Sequence, residues 1–473
     1  MLSRNDVRGS QIAMNGMRSL HGWFMTRPHV FHPSRIIEAA QAFVAVEASS
    51  GIVLMAAALL GMLWVNSPLG DSYNDLWHSQ VAVRTGIFAI EEDLRHLTND
   101  GLMTLFFFLV GLEIKRELVH GELSQPRRAM LPAVAALGGM AAPALIYTAF
   151  NAGGDGASGW GVPMATDIAF AVGVLSLLSR RIPFSVKVFL LALAIADDIG
   201  AILVIAIFYT SEIDLLALGF AVATLAAILT LNRSGVRSIP VYVATGAALW
   251  LTLLESGIHA TIAGVILGLM APASSFYNPE TFAEAADDLV NRFRLGKETG
   301  NEAAQQGILS QIEDLAQGTE APLDRLERAL LPWVSFLIVP LFALANAGVH
   351  VSGDVVDAAI ESPVSQGVVF GLLLGKPLGI FLVTWLAVRL RLCDMPAGAT
   401  WAQILGVGIL GGIGFTIALL ITDLGFDNEG LIDQAKLGVL TASVAAGILG
   451  FVFLWLTTRT RPDNEAPEPA AGA

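Results

Sequence analysis

The chain has 473 residues, of which 54% are hydrophobic and 14% are charged, and its formal net charge is −14. About a quarter of the residues in a typical soluble domain are charged, so this composition excludes an ordinary soluble protein and indicates a membrane protein. Because Cys393 is the only cysteine, an internal disulfide and a metal or redox cluster of cysteines are also excluded.

Apolar runs of about 20 residues, the length of helix that crosses the hydrocarbon core of a bilayer, recur along the chain. They lie near residues 45–65, 99–118, 129–150, 160–179, 186–209, 214–231, 239–255, 257–273, 329–348, 365–388, 401–422 and 436–457. These twelve segments predict an all-α integral membrane protein with twelve transmembrane helices.

Lysines and arginines are concentrated in alternate connections between these segments. Residues 1–40 hold five of them, and most of the others follow an even-numbered segment. The remaining connections contain only Arg84 and Arg95, with Lys436 at the edge of the last segment. Because basic residues accumulate on the cytoplasmic side of a membrane, both termini are predicted to be cytoplasmic and the number of spans to be even.

The two ends of the chain are predicted to lie outside the membrane. Residues 1–40 lack the uninterrupted apolar stretch of a cleavable signal peptide and are predicted to be a cytoplasmic extension. Residues 459–473 have the composition of a disordered cytoplasmic tail. Between them, the membrane domain is predicted in two parts, at 41–274 and at 323–458.

Two connections are long enough to form structure of their own. The external connection near 66–98 contains VAVRTGIFAI, whose alternation is typical of strands and predicts a small hairpin. Residues 275–322 contain nine acidic residues and three basic ones, and they are predicted to form short amphipathic cytoplasmic helices. This insertion is either an accessory packing element or a regulatory one.

The fifth segment has two adjacent acids, Asp197 and Asp198, at the centre of VFLLALAIADDIGAILVIAIF. Its 13 leucine, isoleucine, valine and phenylalanine residues favour insertion by about 4–8 kcal/mol, whereas two aspartates oppose it by about 5–7 kcal/mol. Ionisable groups deep in a span usually serve function, although buried and hydrogen-bonded structural acids are the alternative. Successive residues of a helix point about 100° apart, so one acid can face a water-filled cavity while the other faces a neighbouring helix.

The obvious partner for one of these carboxylates is Lys376, which lies deep in the tenth segment within GLLLGKPLGIFLV. The alternative, a lysine that extends to the membrane surface, is weakened by the long apolar sequence on either side. The sequence does not decide whether Asp197 or Asp198 pairs with this lysine.

Two other segments contain residues that interrupt helices. Asp167 lies in GVPMATDIAFAVG, and a second weak stretch, GVGILGGIGFT, occupies residues 406–416. The second stretch matches a dinucleotide-binding pattern literally, but no βαβ unit surrounds it. It indicates either close helix packing or an unwound helix whose exposed backbone dipoles line an ion path. Interrupted segments in corresponding positions of two halves point to inverted repeats and to a transport site.

Several strings together resemble the NhaA family of sodium/proton antiporters. They are FFFLVGLEIKREL (106–118), MATDIAFAVGVL (164–175), ALAIADDIGAI (192–202), GIHATIAGVILG (257–268), PLFALANAG (340–348), GKPLGI (375–380) and GGIGFT (411–416). The resemblance covers about residues 40–275 and 323–458. It implies a bacterial inner-membrane protein of twelve helices in inverted repeats, with two discontinuous helices that cross at mid-membrane.

The resemblance also implies an ion-binding site. Asp198 would be the principal ligand of Na⁺ or Li⁺, with Asp197 beside it, and Lys376 would pair with the carboxylates of the site. Asp167 and Thr166 would compensate the helix ends at the crossing.

A further group of residues is implied in the response to pH. Glu113, Glu117 and Glu327 match acids near the cytoplasmic funnel of the family, and His259 matches a histidine associated with the same response. An ordinary charged helix end is the alternative for Glu113 and Glu117, and simple packing is the alternative for His259.

We therefore predict a transporter, rather than an enzyme, that exchanges Na⁺ or Li⁺ for H⁺, is regulated by pH and is electrogenic. A carboxylate can hold a hard cation or a proton but not both, so the two ions would compete for the buried aspartates. A sodium-coupled symporter of an organic solute is the main alternative, ahead of a passive channel and an intramembrane aspartyl protease. No cofactor and no nucleic acid are expected; membrane lipid surrounds the protein, and a homodimer through the hairpin is left open.

Overall fold

The computed structural model describes residues 33–85, 88–179, 181–210, 213–234, 236, 239–275, 279–298 and 301–458, in places only as backbone. The predicted tail at 459–473 and most of the predicted extension at 1–40 lie outside the described residues. Among the described residues, those from 47 to 458 belong to one compact unit, and residues 33–46 belong to a separate one.

The described chain is almost entirely helical. In the first half of the chain, the helices are α1 (Pro33–Val65), α2 (Gly70–Trp77), α3 (Met103–Val119), α4 (Pro126–Asn151), α5 (Ile168–Ser176), α6 (Phe184–Phe208), α7 (Leu215–Arg233), α8 (Ile239–Glu255) and α9 (Thr261–Met270). In the second half, they are α10 (Pro279–Glu298), α11 (Glu302–Thr319), α12 (Pro322–Trp333), α13 (Val339–Asn346), α14 (Gly353–Glu361), α15 (Pro363–Phe370), α16 (Lys376–Arg389), α17 (Trp401–Gly411), α18 (Phe415–Gly425) and α19 (Glu429–Thr457).

Several of these helices are joined by helical turns of other kinds. A short turn (Leu94–His96) and a π-helix (Leu97–Leu102) lead into α3, and a 3₁₀-helix (Ala157–Met164) precedes α5. Two further π-helices, Val334–Ile338 and Gly371–Gly375, join α12 to α13 and α15 to α16.

Two antiparallel strands, β1 (Gln80–Thr85) and β2 (Phe88–Asp93), form a hairpin in which Val83 lies opposite Ile90. These strands occur where the alternation of VAVRTGIFAI predicts them.

In the acidic insertion, the predicted amphipathic helices correspond to α10 and α11, which pack against each other.

Seven described helical segments are long and apolar enough to span a membrane. Two bent helix pairs, 49–77 and 401–425, would raise that number to nine if each pair is one span, and α8 and α9 are shorter apolar helices. The fold is therefore that of a multi-pass integral membrane protein.

From α3 onward, the membrane helices form two groups. In the first group, α4 packs on α6, α15 and α16, while α19 packs on α15, α17 and α18. In the second group, α3 packs on α9 and α12, and α8 packs on α7 and α9. The groups meet where α3 contacts α6 and where α13 contacts α18.

Glycine allows the closest helix contacts, as is usual where membrane helices pack. A Cβ atom on Gly111 of α3 would lie 2.7 Å from the carbonyl oxygen of Val265 on α9. A Cβ atom on Gly408 of α17 would lie 3.1 Å from the Cα of Pro377 on α16. The glycines of GVGILGGIGFT thus serve close packing within α17, in addition to the break that follows it.

Candidate ion-binding site

Two breaks in the helices lie against each other. Residues 165–167 are extended between the 3₁₀-helix Ala157–Met164 and α5, and residues 412–414 separate α17 from α18. The backbone N–H of Asp167 donates a hydrogen bond of 2.6 Å to the carbonyl oxygen of Ile413. The Thr166 hydroxyl lies 3.0 Å from the carbonyl oxygen of Gly411. Two segments far apart in sequence therefore meet at their non-helical residues.

The Asp167 carboxylate sits at the N-termini of two helices. Its Oδ1 accepts a 3.0 Å hydrogen bond from the N–H of Phe170, which caps α5. Its Oδ2 accepts bonds from the Thr416 hydroxyl at 2.8 Å and the Thr416 N–H at 3.2 Å, in the first turn of α18. Each helix N-terminus carries a partial positive charge, which a carboxylate stabilises. Both oxygens of Asp167 are thus occupied by the helix ends.

Lys376 pairs with Asp197, which settles a question that the sequence left open. The lysine is fully buried, and its ammonium group donates to Asp197 Oδ2 and to the carbonyl oxygen of Met164. The Thr166 hydroxyl also lies 2.7 Å from Asp197 Oδ2. One hydroxyl proton can be donated to only one acceptor at a time, so Thr166 donates either to Asp197 or to the carbonyl of Gly411.

Asp198 is buried to the same extent as Asp197, with 1% of each residue exposed, but the ammonium group of Lys376 donates to Asp197. Within the described part of the chain, Oδ1 of Asp198 has no hydrogen-bond partner, and neither does Oδ1 of Asp197. The charged groups that act on Asp198 are Asp197, Glu113, Asp167 and Lys376. A buried carboxylate without a partner is costly, so a proton or a cation is required there.

The carbonyl groups of the two breaks already accept hydrogen bonds. Those of Met164, Gly411 and Ile413 face the ammonium of Lys376, the hydroxyl of Thr166 and the N–H of Asp167. Each of these carbonyl oxygens has a second lone pair, whereas Oδ1 of Asp197 and Oδ1 of Asp198 have no hydrogen-bond partner at all among the described residues. The carboxylates are thus the first candidates for holding a hard cation.

The predicted acids of the pH response lie near the same end of α3. Glu327 of α12 forms an ion pair with Arg116, and its Oε2 has no hydrogen-bond partner among the described residues. Glu117 Oε2 accepts a 3.0 Å bond from the N–H of Glu122. Glu113 is 8% exposed, and its charge acts on Asp198. Two of these acids thus lie on α3 itself, and the third, Glu327, is held to α3 through Arg116.

His259 lies elsewhere. Its Nε2 is 2.6 Å from the carbonyl oxygen of Tyr209, and it interacts electrostatically with Asp100, in the π-helix that leads into α3. Asp100 precedes Glu113 by about 20 Å along the helical stretch that ends in α3, at 1.5 Å per residue. The structure therefore does not bring His259 together with the three glutamates.

Sequence reasoning missed a second buried polar cluster. Lys436 pairs with Asp423 at 2.7 Å, and Asn99 donates to Asp423 at 3.2 Å. Asn346 in turn donates to Asn99 at 2.7 Å. The two asparagines lie in the strings TND and ANAG, and no charge distinguishes them in the sequence, so the cluster is visible only in three dimensions.

Comparisons with known proteins identify a family. The model of the family "Na+/H+ antiporter 1" matches residues 41–454. The chain is 48% identical to an Na(+)/H(+) antiporter NhaA of Oleidesulfovibrio alaskensis, over 90% of this chain and 95% of the relative. It is 47% identical to Na(+)/H(+) antiporter NhaA 2 of Sorangium cellulosum, over 88% of this chain and 89% of the relative.

Among solved structures, the chain aligns with the sodium proton antiporter MjNhaP1 of Methanocaldococcus jannaschii at 15% identity and a TM-score of 0.44. That alignment covers 89% of this chain and 98% of the other. The assignment to a family depends on the first set of matches, in which similarity extends over nearly the whole membrane domain.

Proposed function

The chain belongs to the NhaA family of Na⁺/H⁺ antiporters, and we propose that Asp198 is the group at which it exchanges the two ions. The observation that carries this proposal is the Asp198 carboxylate, which is 1% exposed and has an oxygen without a partner among the described residues. Asp167, by contrast, is held by two helix ends, and one oxygen of Asp197 is held by Lys376.

Competition for one carboxylate couples the two ions. Sodium and lithium are hard cations that favour oxygen ligands, and a proton on Asp198 removes the negative charge that they need. Asp197 Oδ1 supplies a second oxygen without a partner beside it. Protons therefore displace the cation on one side of the membrane, and the cation displaces protons on the other.

The charge balance of the site makes the exchange electrogenic. With Asp198 protonated and Lys376 charged beside Asp197, the three groups sum to zero. A sodium ion that contacts both aspartates competes with the ammonium for Asp197, so Lys376 gives up its proton as well. Two protons then leave for each Na⁺ that binds, and the net charge of the site changes by one in every cycle.

The architecture that we propose has twelve spans in inverted repeats. The seven long segments, the two bent pairs and the two shorter apolar helices, together with the 17 residues of α3, supply that number. The contacts between residues 165–167 and 411–413 support two discontinuous helices that cross at mid-membrane. The distribution of basic residues supports cytoplasmic termini in a bacterial inner membrane.

We also propose that Glu113, Glu117 and Glu327 set the pH at which exchange begins. Their support is the ion pair of Glu327 with Arg116 and the buried Glu113, whose charge acts on Asp198. Glu327→Gln keeps the shape of the side chain but weakens the pair, so we expect a shifted pH profile with a similar maximal rate. An unchanged profile would remove Glu327 from this role. For His259, the expected role in the pH response stays a prediction.

The proposal is tested by the dequenching of a pH-sensitive dye when Na⁺ or Li⁺ is added to acid-loaded inverted vesicles. Wild-type protein should respond, and Asp198→Asn should not, because an amide carries no exchangeable charge. Asp354→Asn on the exposed first turn of α14 is the matched control and should respond as wild type does. Sodium-driven dequenching by Asp198→Asn at the wild-type rate would contradict the proposal.

The similar proteins are Na⁺/H⁺ antiporters, which does not favour a sodium-coupled symporter. Organic solutes added to the same vesicles should therefore leave the Na⁺-driven signal unchanged.

A further inference from the structure

The cluster of Asn99, Asn346, Asp423 and Lys436 joins four elements of the fold. Asn99 lies in the π-helix that leads into α3, and Asn346 is the last residue of α13. Asp423 lies near the end of α18, and Lys436 lies in α19. Every one of the four side chains bonds to at least one of the others. We call this cluster the amide–ion-pair network.

Within the network, the ion pair links two helices that are already joined. The Phe415 N–H, at the start of α18, donates a 3.3 Å bond to the Ser443 hydroxyl of α19. At the other end of α18, Asp423 pairs with Lys436 of the same α19. The two bonds hold the antiparallel helices together at both ends of α18. We therefore regard α18 and α19 as one rigid hairpin.

The two asparagines lie on the other side of an interface. The α18–α19 hairpin belongs to the first group of helices, whereas α3 belongs to the second, and α13 contacts both. The bond from Asn99 to Asp423 consequently crosses between the groups, while the Asp423–Lys436 pair stays within one of them. Asn346, which is 1% exposed, donates a hydrogen bond to Asn99 and so holds its amide in place.

The network and the candidate ion site occupy different levels of this interface. Thr416, at the start of α18, is bonded to Asp167 in the site, and Asp423 is seven residues further along the same helix. Seven residues are about two turns, so both side chains project from nearly the same face, about 10 Å apart along the axis. Asn99, in the π-helix that leads into α3, likewise precedes Glu113 of α3 by 14 residues, about 21 Å along the helical stretch. The network therefore closes the end of the interface that is remote from Glu113.

We propose that the Asn99–Asp423 hydrogen bond is a seal that must break whenever the ion site opens toward that end. If both termini are cytoplasmic, as proposed above, this end is the external one. Alternating access moves one group of helices against the other around a central site. The ion pair with Lys436 holds Asp423 on the hairpin, and the neutral amide of Asn99 can release Asp423 without leaving a charge unpaired.

Cross-linking tests this seal in the full-length protein. Cys393, the only native cysteine, is first replaced by serine, and Asn99→Cys is combined with Asp423→Cys. After oxidation with copper phenanthroline in proteoliposomes, we expect Na⁺/H⁺ exchange to be lost and to return on reduction. Each sample is compared with its own reduced form, so any loss of stability caused by the substitutions cancels.

The matched control is Asp423→Cys with Lys436→Cys, which bridges α18 to α19 within the hairpin. Its oxidised form should exchange ions as fast as its reduced form, because the proposed hairpin moves as a unit. Full exchange by the oxidised Asn99–Asp423 pair would show that the interface does not open there and would overturn the proposal. Loss of exchange in both oxidised pairs would overturn the rigid hairpin on which it depends.

A second variant decides the matter if the cysteine pairs do not form or fold. Asn99→Ala removes the bond across the interface and leaves the Asp423–Lys436 pair intact. We expect a lower apparent KM for Na⁺ presented on the side of the network, since the closed state of that side loses a stabilising bond. The KM for Na⁺ on the opposite side should not fall. An unchanged KM on the side of the network would contradict the seal.

Discussion

Lys376 and Lys436 are both buried, and each pairs with an aspartate, yet their surroundings differ in one respect. At Lys436, both oxygens of the partner Asp423 are bonded, one to the lysine and one to Asn99. At Lys376, Oδ1 of Asp197 has no partner in the described part of the chain, and the adjacent Asp198 also has an open oxygen. Buried polar groups normally have hydrogen-bond partners, so the two aspartate oxygens without a partner indicate a site that binds and releases an ion.

The largest expected effect is that of Lys376→Met. The substitution leaves Asp197 buried without its cation, and breaking a buried ion pair in this way costs about 3–5 kcal/mol. We expect a lowered midpoint of thermal unfolding in detergent and, in proteoliposomes, exchange that no longer responds to membrane potential. Exchange by this variant that still speeds up with an applied potential would contradict the proposed role of Lys376 in carrying charge.

The comparison is sharpened by placing the same substitution in both regions. Asp423→Asn leaves Lys436 unpaired and should lower the free energy of unfolding by about 3 kcal/mol. Asp198→Asn removes a carboxylate that has an unsatisfied oxygen, so it should not destabilise the protein and should still abolish exchange. Thermal unfolding of the two purified variants checks the contrast. A larger drop in unfolding midpoint for Asp198→Asn than for Asp423→Asn would contradict this contrast.

A smaller effect is expected at Asp167, whose bonds resemble those of Asp423 in being complete. Asp167→Asn keeps an oxygen that can cap one helix but loses the charge that stabilises two helix N-termini, at a cost of about 1–2 kcal/mol. Exchange should be slowed without being abolished, and the apparent affinity for Na⁺ should be the parameter that changes. Complete loss of Na⁺-induced proton release would instead place Asp167 among the ion ligands.

The smallest effect is expected outside the membrane, where Asp93 pairs with His96 at 2.9 Å. Burial alone would raise the pKa of Asp93 and lower the pKa of His96, but the hydrogen bonds and charges of the pair reverse both shifts. Because folding raises the pKa of His96, the protonated histidine stabilises the folded protein. This stabilisation is present below the ordinary pKa of about 6.5 and is lost as pH rises through the higher folded value. The Asp93 contribution is lost in turn as pH falls through its lowered pKa.

His96→Gln should therefore lower the unfolding midpoint slightly near pH 5.5 and leave it unchanged near pH 9. Because the His96 side chain is 63% exposed, solvent screens most of the pair's energy. Exchange should match the wild type at both pH values. A larger loss of stability at pH 9 than at pH 5.5 would contradict the sign of this argument.

Hydropathy and rare intramembrane charges predicted much of this arrangement. The apolar segments, the paired aspartates and Lys376 stand out because lipid tolerates few ionisable groups. Which aspartate meets Lys376 could not be predicted, since a helix turns the two carboxylates about 100° apart and a lysine is long enough to reach either. The double cap by Asp167 also needed the structure, because its second helix begins about 250 residues later, at Phe415.

The amide–ion-pair network was missed for a different reason. Asn99 and Asp423 are separated by 324 positions, and neutral amides carry no hydropathy signal strong enough to mark them. Lys436 was placed at the edge of a predicted span, but α19 begins at Glu429 and buries it. Positions of this kind depend on how helices pack, which the order of apolar residues does not specify.

The central claim is that Na⁺ and protons compete for Asp198, and proton release tests it most directly. Na⁺ is added to the purified protein in weakly buffered detergent solution at several pH values, and the released protons are followed with a pH indicator. We predict that the wild type releases protons with an apparent Na⁺ affinity that rises with pH, and that Asp198→Asn releases none. Equal release by Asp198→Asn, or an affinity that does not depend on pH, would contradict the account.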